Sequence, residues 1–230
     1  MRGICCKDLN SQKDIYSMGN LAFIWDLDGT LVDSYPAIVP ATQKACTEFG
    51  LEFSAEYIHS EIIRTSVGAF IEQEAVPRQM NPDPIKARFN ELNDNSIGNI
   101  VAMPHAKEIL QRLTEAGHSC FMVTHRGESC LRILRQTELL PYFTEIVTSL
   151  SGFPRKPAPD AILYLLEKYS LSKTYCFYVG DRSLDIEAAN KAGIGSILYL
   201  DPSSPGKATG METYIVSDLL EIIDIIKRTE

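Results

Sequence analysis

The chain reads as an α/β protein, a doubly wound parallel sheet with an all-helical unit inserted after its first strand. Short apolar segments rich in β-branched and aromatic residues recur along the sequence, as strands buried on both faces require. Longer stretches with helical apolar period separate most of them, the pattern of a sheet covered by helices on both sides. Residues 34–101 break the alternation, carrying helical periodicity and no convincing strand.

The first strand is predicted at 21–25. Helices follow at 37–49, 55–64, 67–74 and 84–97, separated by turns at Gly50, Thr65 and the proline-rich stretch 77–82. Pro104 then opens a helix whose apolar face is Ile109, Leu110 and Leu113, and Gly117 closes it in a left-handed cap. Strands are expected at 119–123 and 145–148, a helix on Ile162, Leu165 and Leu166 at 158–169, and a strand at 175–179. Ser183 is placed as the cap of the next helix, with Asp185 and Glu187 near its positive end and Lys191 and Gly193 at its finish. Strands at 196–200 and 214–216 complete the sheet. The expected organisation is an N-terminal extension at 1–20, a core from 21–33 and 102–230, and a helical insert at 34–101. The two connecting segments would form a hinge.

Composition narrows the partners. With 230 residues, 45% of them hydrophobic, the chain can bury a core without disulfides and is not disordered, collagenous or coiled-coil overall. Thirty acidic against 22 basic residues, a net charge of −8, argue against a nucleic-acid backbone as partner. No apolar run approaches the roughly 20 residues a membrane span needs, and residues 219–226 are interrupted by Glu221 and Asp224. Lys7, Asp8, Lys13 and Asp14 stand where a signal peptide would be apolar, so a cytoplasmic location is expected. The six cysteines show no Cys-x-x-Cys pair and no Cys/His spacing, which disfavours zinc and a disulfide framework. Cys5 and Cys6 stay open as reactive or lipidated thiols, and Met18 as an alternative start. A monomer is the default, with a dimer left open.

The chemistry collects at strand ends. The first strand runs into Asp26-Leu27-Asp28-Gly29-Thr30, and ligands of open α/β sheets bind at the carboxyl ends of strands. Thr124-His125-Arg126-Gly127 follows Val123, Arg155-Lys156-Pro157 precedes a helix, and Gly180-Asp181-Arg182-Ser183-Leu184-Asp185 follows Val179. The topology therefore brings Asp26, Asp28, Thr124, Lys156, Asp181 and Asp185 towards one edge. Like charges about 4 Å apart repel by about 4 kcal/mol near a protein surface, so some carboxyls must protonate or a cation must sit among them. Oxygen donors without nearby His or Cys suit Mg²⁺. That ion and Lys156 together can receive a phosphate dianion despite the acidic balance of the chain. Taken singly, the Asp pair also reads as a turn, Lys156 as a loop lysine, Thr124 as a hydroxyl satisfying backbone groups, and Asp181 and Asp185 as helix-dipole partners.

These four segments, in this order, resemble the motifs of the haloacid dehalogenase superfamily, and within it the phosphoglycolate phosphatase and β-phosphoglucomutase group with a helical cap. The resemblance spans all but the first twenty residues, the cap matching by position and helicity only. It implies a Rossmann-like core and a Mg²⁺-dependent phosphatase acting on a small phosphorylated metabolite through an aspartyl-phosphate. Asp26 would be the nucleophile, and Asp28 the general acid and then base. Thr124 and Lys156 would hold phosphoryl oxygens. The implied metal set is Asp26, Asp28 through its backbone carbonyl, and Asp181, with Asp185 orienting metal-bound water or Lys156.

The chain departs from the pattern in places. Trp25 stands where phenylalanine is common and is read as core. His125 and Arg126 follow Thr124 where the family often has Asn, as substrate contacts or structural residues. Arg64, in the loop that relatives use for specificity, is a candidate for a second anionic group of the substrate. Tyr35 and Phe70 are read as core, with a place in the crevice left open. A phosphomutase would share every core motif, and a non-catalytic binding protein on the same fold is the other alternative. A dehalogenase is disfavoured by Asp28.

Overall fold

A computed structural model describes residues 20–202 and 204–229. The N-terminal segment with Cys5, Cys6 and Met18 lies outside the described residues. The chain enters through β1 (Ala22–Trp25) and reaches a two-residue strand, β2 (Val32–Asp33). Four helices follow, α1 (Tyr35–Glu48), α2 (Ala55–Arg64), α3 (Val67–Ala75) and α4 (Asp83–Asn95), before the chain returns along β3 (Val101–Ala102). It continues through α5 (Ala106–Glu115), β4 (Ser119–Val123), α6 (Ser129–Gln136), β5 (Phe143–Val147), α7 (Asp160–Lys168) and β6 (Cys176–Gly180). The closing elements are α8 (Ser183–Ala192), β7 (Gly195–Tyr199), β8 (Tyr214–Val216) and α9 (Ile222–Thr229).

Among the described residues the main sheet is parallel throughout, in the order β5-β4-β1-β6-β7-β8. The alternation of side chains along β1 divides the core. Phe23 and Trp25 pack with Leu110 and Leu113 of α5, Ile133 of α6 and Ile222 of α9. Ala22 and Ile24 pack on the opposite face with Leu165 of α7 and Ala188 and Ala189 of α8. Burying one such large apolar side chain contributes roughly 1.5–3 kcal/mol. Helices α1 to α4 enclose an apolar cluster of their own, including Ile38, Ile58, Ile62, Phe70 and Ile85. No helix of the described residues is long and apolar enough to cross a membrane.

All six expected sheet strands form, and the largest shift is in β5, which begins at Phe143 because Phe143 pairs with Cys120. The helix expected to open at Pro104 starts at Ala106, behind His105 in a left-handed conformation at φ 61°. Ser183 is the first helical residue of α8 rather than its cap. The Asp185 carboxylate accepts the Arg182 backbone N–H at 3.2 Å and shifts the cap position one residue back. The ribbon β2–β3 was not foreseen. Val32 pairs with Ala102 and Asp33 with Val101, antiparallel, where the helical insert leaves and rejoins the chain.

Candidate active site

β1 is central, so its carboxyl end faces the deepest part of the sheet edge. Asp26 follows it directly and donates its N–H to the Val179 carbonyl of β6 at 2.9 Å. The backbone then folds tightly. The Leu27 carbonyl accepts N–H bonds from Leu31 and Val32 at 3.0 Å, and the Gly29 N–H donates to the Val32 carbonyl at 2.9 Å. This loop holds Asp26 and Asp28 over the strand end.

Asp26 is 1% exposed. Its Oδ1 accepts from Lys156 Nζ at 2.6 Å, and its Oδ2 is buried with no protein partner. Burial, reinforced by nearby Asp185 and only partly offset by Lys156, holds the Asp26 carboxyl above the usual carboxylate range. Asp181, at the end of β6, is raised for the same leading reason, with Asp26 and Asp185 adding to it. Its Oδ2 accepts from the Tyr35 hydroxyl at 2.7 Å and its Oδ1 from Thr30 at 3.4 Å.

Lys156 reaches this cluster from the loop before α7, where the Lys156–Pro157 peptide is cis. Its ammonium lies 2.6 Å from both Asp26 and Asp185 and also donates to the Tyr178 hydroxyl at 2.9 Å. Tyr178 in turn donates to the Val123 carbonyl at 2.8 Å. Burial works against the charge on Lys156, but Asp185 and Asp26 outweigh it and hold the ammonium protonated. Asp185 is thus engaged on both oxygens, by Lys156 and by the Arg182 backbone N–H.

Asp26, Asp181 and Asp185 are buried, and each offers a carboxylate oxygen, all within 4.8 Å of one another. A hard divalent cation fits this donor set. All three donors are carboxylate oxygens, two of the carboxyls are pushed towards protonation in the absence of a cation, and Asp26 Oδ2 has no protein partner.

The remaining expected residues separate. Thr124 is buried at the end of β4, donating its N–H to the Val147 carbonyl at 3.0 Å, and its hydroxyl accepts the Arg126 N–H at 3.2 Å. His125 Nε2 accepts the Lys156 backbone N–H at 2.9 Å, which ties the two loops together. Burial, with Lys156, Arg155 and Arg182 nearby, pushes His125 down to about 2, so the ring is neutral. Asp28 is not one of the three clustered carboxylates. Both its oxygens accept from Arg126 Nε, at 2.7 and 2.9 Å.

A cleft of about 550 Å³ opens beside these groups. Asp28, His125, Arg126, Arg155 and Arg182 line its floor, and Ile62, Ser66, Val67 and Phe89 of the helical insert line its roof. Arg64 does not reach it. That side chain is exposed and bonded to Glu61 and Gln73. Trp25 and Phe70 are core residues, and Tyr35, buried in the apolar cluster of the insert, also lines the cleft and touches Asp181. Sequence reasoning did not anticipate Tyr178 beneath Lys156, because a tyrosine in an apolar strand carries no signal of its own. Arg126 had a signal in its place two residues after Thr124, but its partner did not.

A family model described as haloacid dehalogenase-like hydrolase matches residues 23–199. The chain is 31% identical over 227 residues to a phosphoglycolate phosphatase of Nitrosospira multiformis, covering 90% of this chain and 96% of that one. It is 27% identical over 214 residues to a phosphoglycolate phosphatase of Vibrio vulnificus, covering 88% and 94%. A crystal structure of a predicted phosphoglycolate phosphatase from Haemophilus somnus superposes with a TM-score of 0.78 at 22% identity, over 91% of this chain and 99% of that one, a likeness of fold.

Proposed function

The chain belongs to the haloacid dehalogenase-like hydrolases, and from that premise we propose that it is a phosphatase that cleaves small phosphorylated metabolites through an aspartyl-phosphate. The observation that carries this reading is Asp26. One of its oxygens is held by Lys156, and the other is buried at the end of the central strand with no protein partner. Asp26 Oδ2 attacks phosphorus while the ester P–O bond breaks, and Asp28 delivers a proton to the departing oxygen. Asp28 then takes a proton from the water that attacks the aspartyl-phosphate, releasing phosphate and restoring Asp26. Lys156 and the Thr124 hydroxyl hold phosphoryl oxygens, since phosphoryl transfer depends mostly on positioning and charge neutralisation.

Asp26, the Asp28 backbone carbonyl and Asp181 would hold Mg²⁺, with Asp185 fixing Lys156 behind them. When bound, the ion supplies positive charge against the phosphoryl oxygens. Residues 34–101, between boundaries near Asp33 and Ala102, would act as a cap over the cleft, and its closure would keep water from the reacting groups.

The purified protein is expected to hydrolyse p-nitrophenyl phosphate in Mg²⁺, and Asp26→Asn to lower kcat by at least about a thousandfold. Full activity in that variant, or activity indifferent to a chelator, would overturn the assignment. A hexose 1-phosphate is expected to yield free phosphate, whereas an isomerised product would mark a mutase.

A further inference from the structure

Arg126 stands out because the expected reaction gives it no task, yet it lines the floor of the cleft beside Asp28. It is 7% exposed. Its Nε is committed to both oxygens of Asp28, whereas Nη1 and Nη2 are buried with no protein partner. A guanidinium presents its donors as a planar fork, and two terminal N–H groups side by side match a carboxylate or phosphate edge. The surroundings support an anion there. Arg155 and Arg182 line the same cleft, and His125, which also lines it, is neutral. The acidic groups lining the cleft are Asp28, already taken by Arg126, Asp94, which faces Arg132 at 3.4 Å, and Glu128. Other cations near the roof are occupied, Lys86 by Glu72 and Arg64 by Glu61.

We propose that Arg126 is the specificity-determining residue of this site, holding Asp28 through Nε and taking through its terminal nitrogens a second anionic group on the leaving part of the phosphate ester. The inference rests on the phosphatase reading and assigns the discrimination to a core loop rather than to the helical insert. It also couples recognition to chemistry. A substrate that engages the terminal nitrogens fixes the guanidinium, and with it the carboxylate that must meet the departing oxygen. An uncharged leaving group leaves both free to swing.

The test compares wild type with Arg126→Lys and Arg126→Gln on p-nitrophenyl phosphate, phosphoglycolate and pyrophosphate. Lysine can still pair with Asp28 but lacks the fork. Wild type is expected to favour at least one of the two charged substrates, and Arg126→Lys to lose at least tenfold more kcat/KM on that substrate than on the aryl ester. Loss confined to phosphoglycolate identifies a carboxylate as the second group, and loss confined to pyrophosphate a second phosphate. Equal losses on all three would reduce Arg126 to a support for Asp28 and overturn the proposal. A measurement on wild type alone guards against a variant that does not fold. Phosphonoacetate should inhibit p-nitrophenyl phosphate hydrolysis at least tenfold more tightly than methylphosphonate if the second group is a carboxylate, and methylenediphosphonate should do so if it is a phosphate. Equal inhibition by all three overturns the proposal. If Asp26→Asn stays fully active, the phosphatase reading itself has failed. If Asp26→Asn is dead and the selectivity of Arg126→Lys is unchanged, only the role of Arg126 has.

Discussion

Gly29 shows how little freedom the reacting loop has. Its φ is +79°, and a Cβ there would stand 2.3 Å from Asp181 Oδ2 and 2.5 Å from the Tyr35 ring. Gly29→Ala is therefore expected to displace Asp181, lower aryl phosphate hydrolysis at least a hundredfold, and destabilise the fold by about 1–3 kcal/mol, read from steady-state rates and urea unfolding. His125 makes a prediction about acid. Its folded-state pKa is depressed to about 2, while an unfolded histidine titrates near 6.5. Below about pH 6.5 the unfolded chain binds a proton that the native ring refuses, so the contribution of His125 is full above that pH and is lost as pH falls towards 2. The limiting slope is about 1.4 kcal/mol per pH unit. His125→Asn should flatten the urea-midpoint profile between roughly pH 6 and 4, and an unchanged profile would mean the ring is not held neutral. At this scale Asp26, Thr124, Lys156, Asp181 and Asp185 were legible because each sits at a strand end or just before a helix, where topology alone dictates position. The partner of Asp28 was not, since a guanidinium on a flexible arm of methylene carbons can turn either to solvent or inward, and only packing decides.

The helices of the insert show the reach and the limit of periodicity. Helix α2 (Ala55–Arg64) has the predicted ends because Ser54 accepts the Tyr57 N–H at 3.2 Å and Thr65 closes the last turn through the Glu61 carbonyl. Ser54→Ala should cost about 1 kcal/mol. Phe70 in α3 is fully buried against Phe53 and Tyr57, and Phe70→Ala should cost about 3–5 kcal/mol by denaturant unfolding. A loss under 1 kcal/mol would mean that this cluster does not hold the insert together. The strands β2 and β3 escaped notice for a physical reason. Two residues cannot display a period of two, and Val101 is more than half exposed. Helix α6 likewise lies outside the expected helices, being only eight residues long.

For the molecule as a whole, the net charge of −8 hides an uneven distribution. Three of the acidic groups are buried together, Lys156 pairs with two of them, and the native fold carries the remaining repulsion unless a metal ion joins them. An ion that binds only the native state stabilises it by RT ln(1 + [L]/Kd), about 2.7 kcal/mol at a hundred times Kd. Mg²⁺ should raise the melting temperature and EDTA should reverse the gain, while Asp181→Asn should abolish the response. A melting temperature indifferent to Mg²⁺ in the unsubstituted protein would remove the metal from this account.

The ribbon β2–β3 has a topological consequence. Because Val32 faces Ala102 and Asp33 faces Val101, the chain departs for the helical insert and comes back at a single point, as a hairpin does. Residues 34–100 could then be replaced by an Asn-Gly turn of the kind that closes two-residue hairpins. The sheet strands and their register lie wholly outside the excised stretch. The shortened chain should fold as a minimal sheet domain with its aspartates open to bulk water, and phosphate esters too large for a cleft of about 550 Å³ would be the natural substrates to try on it.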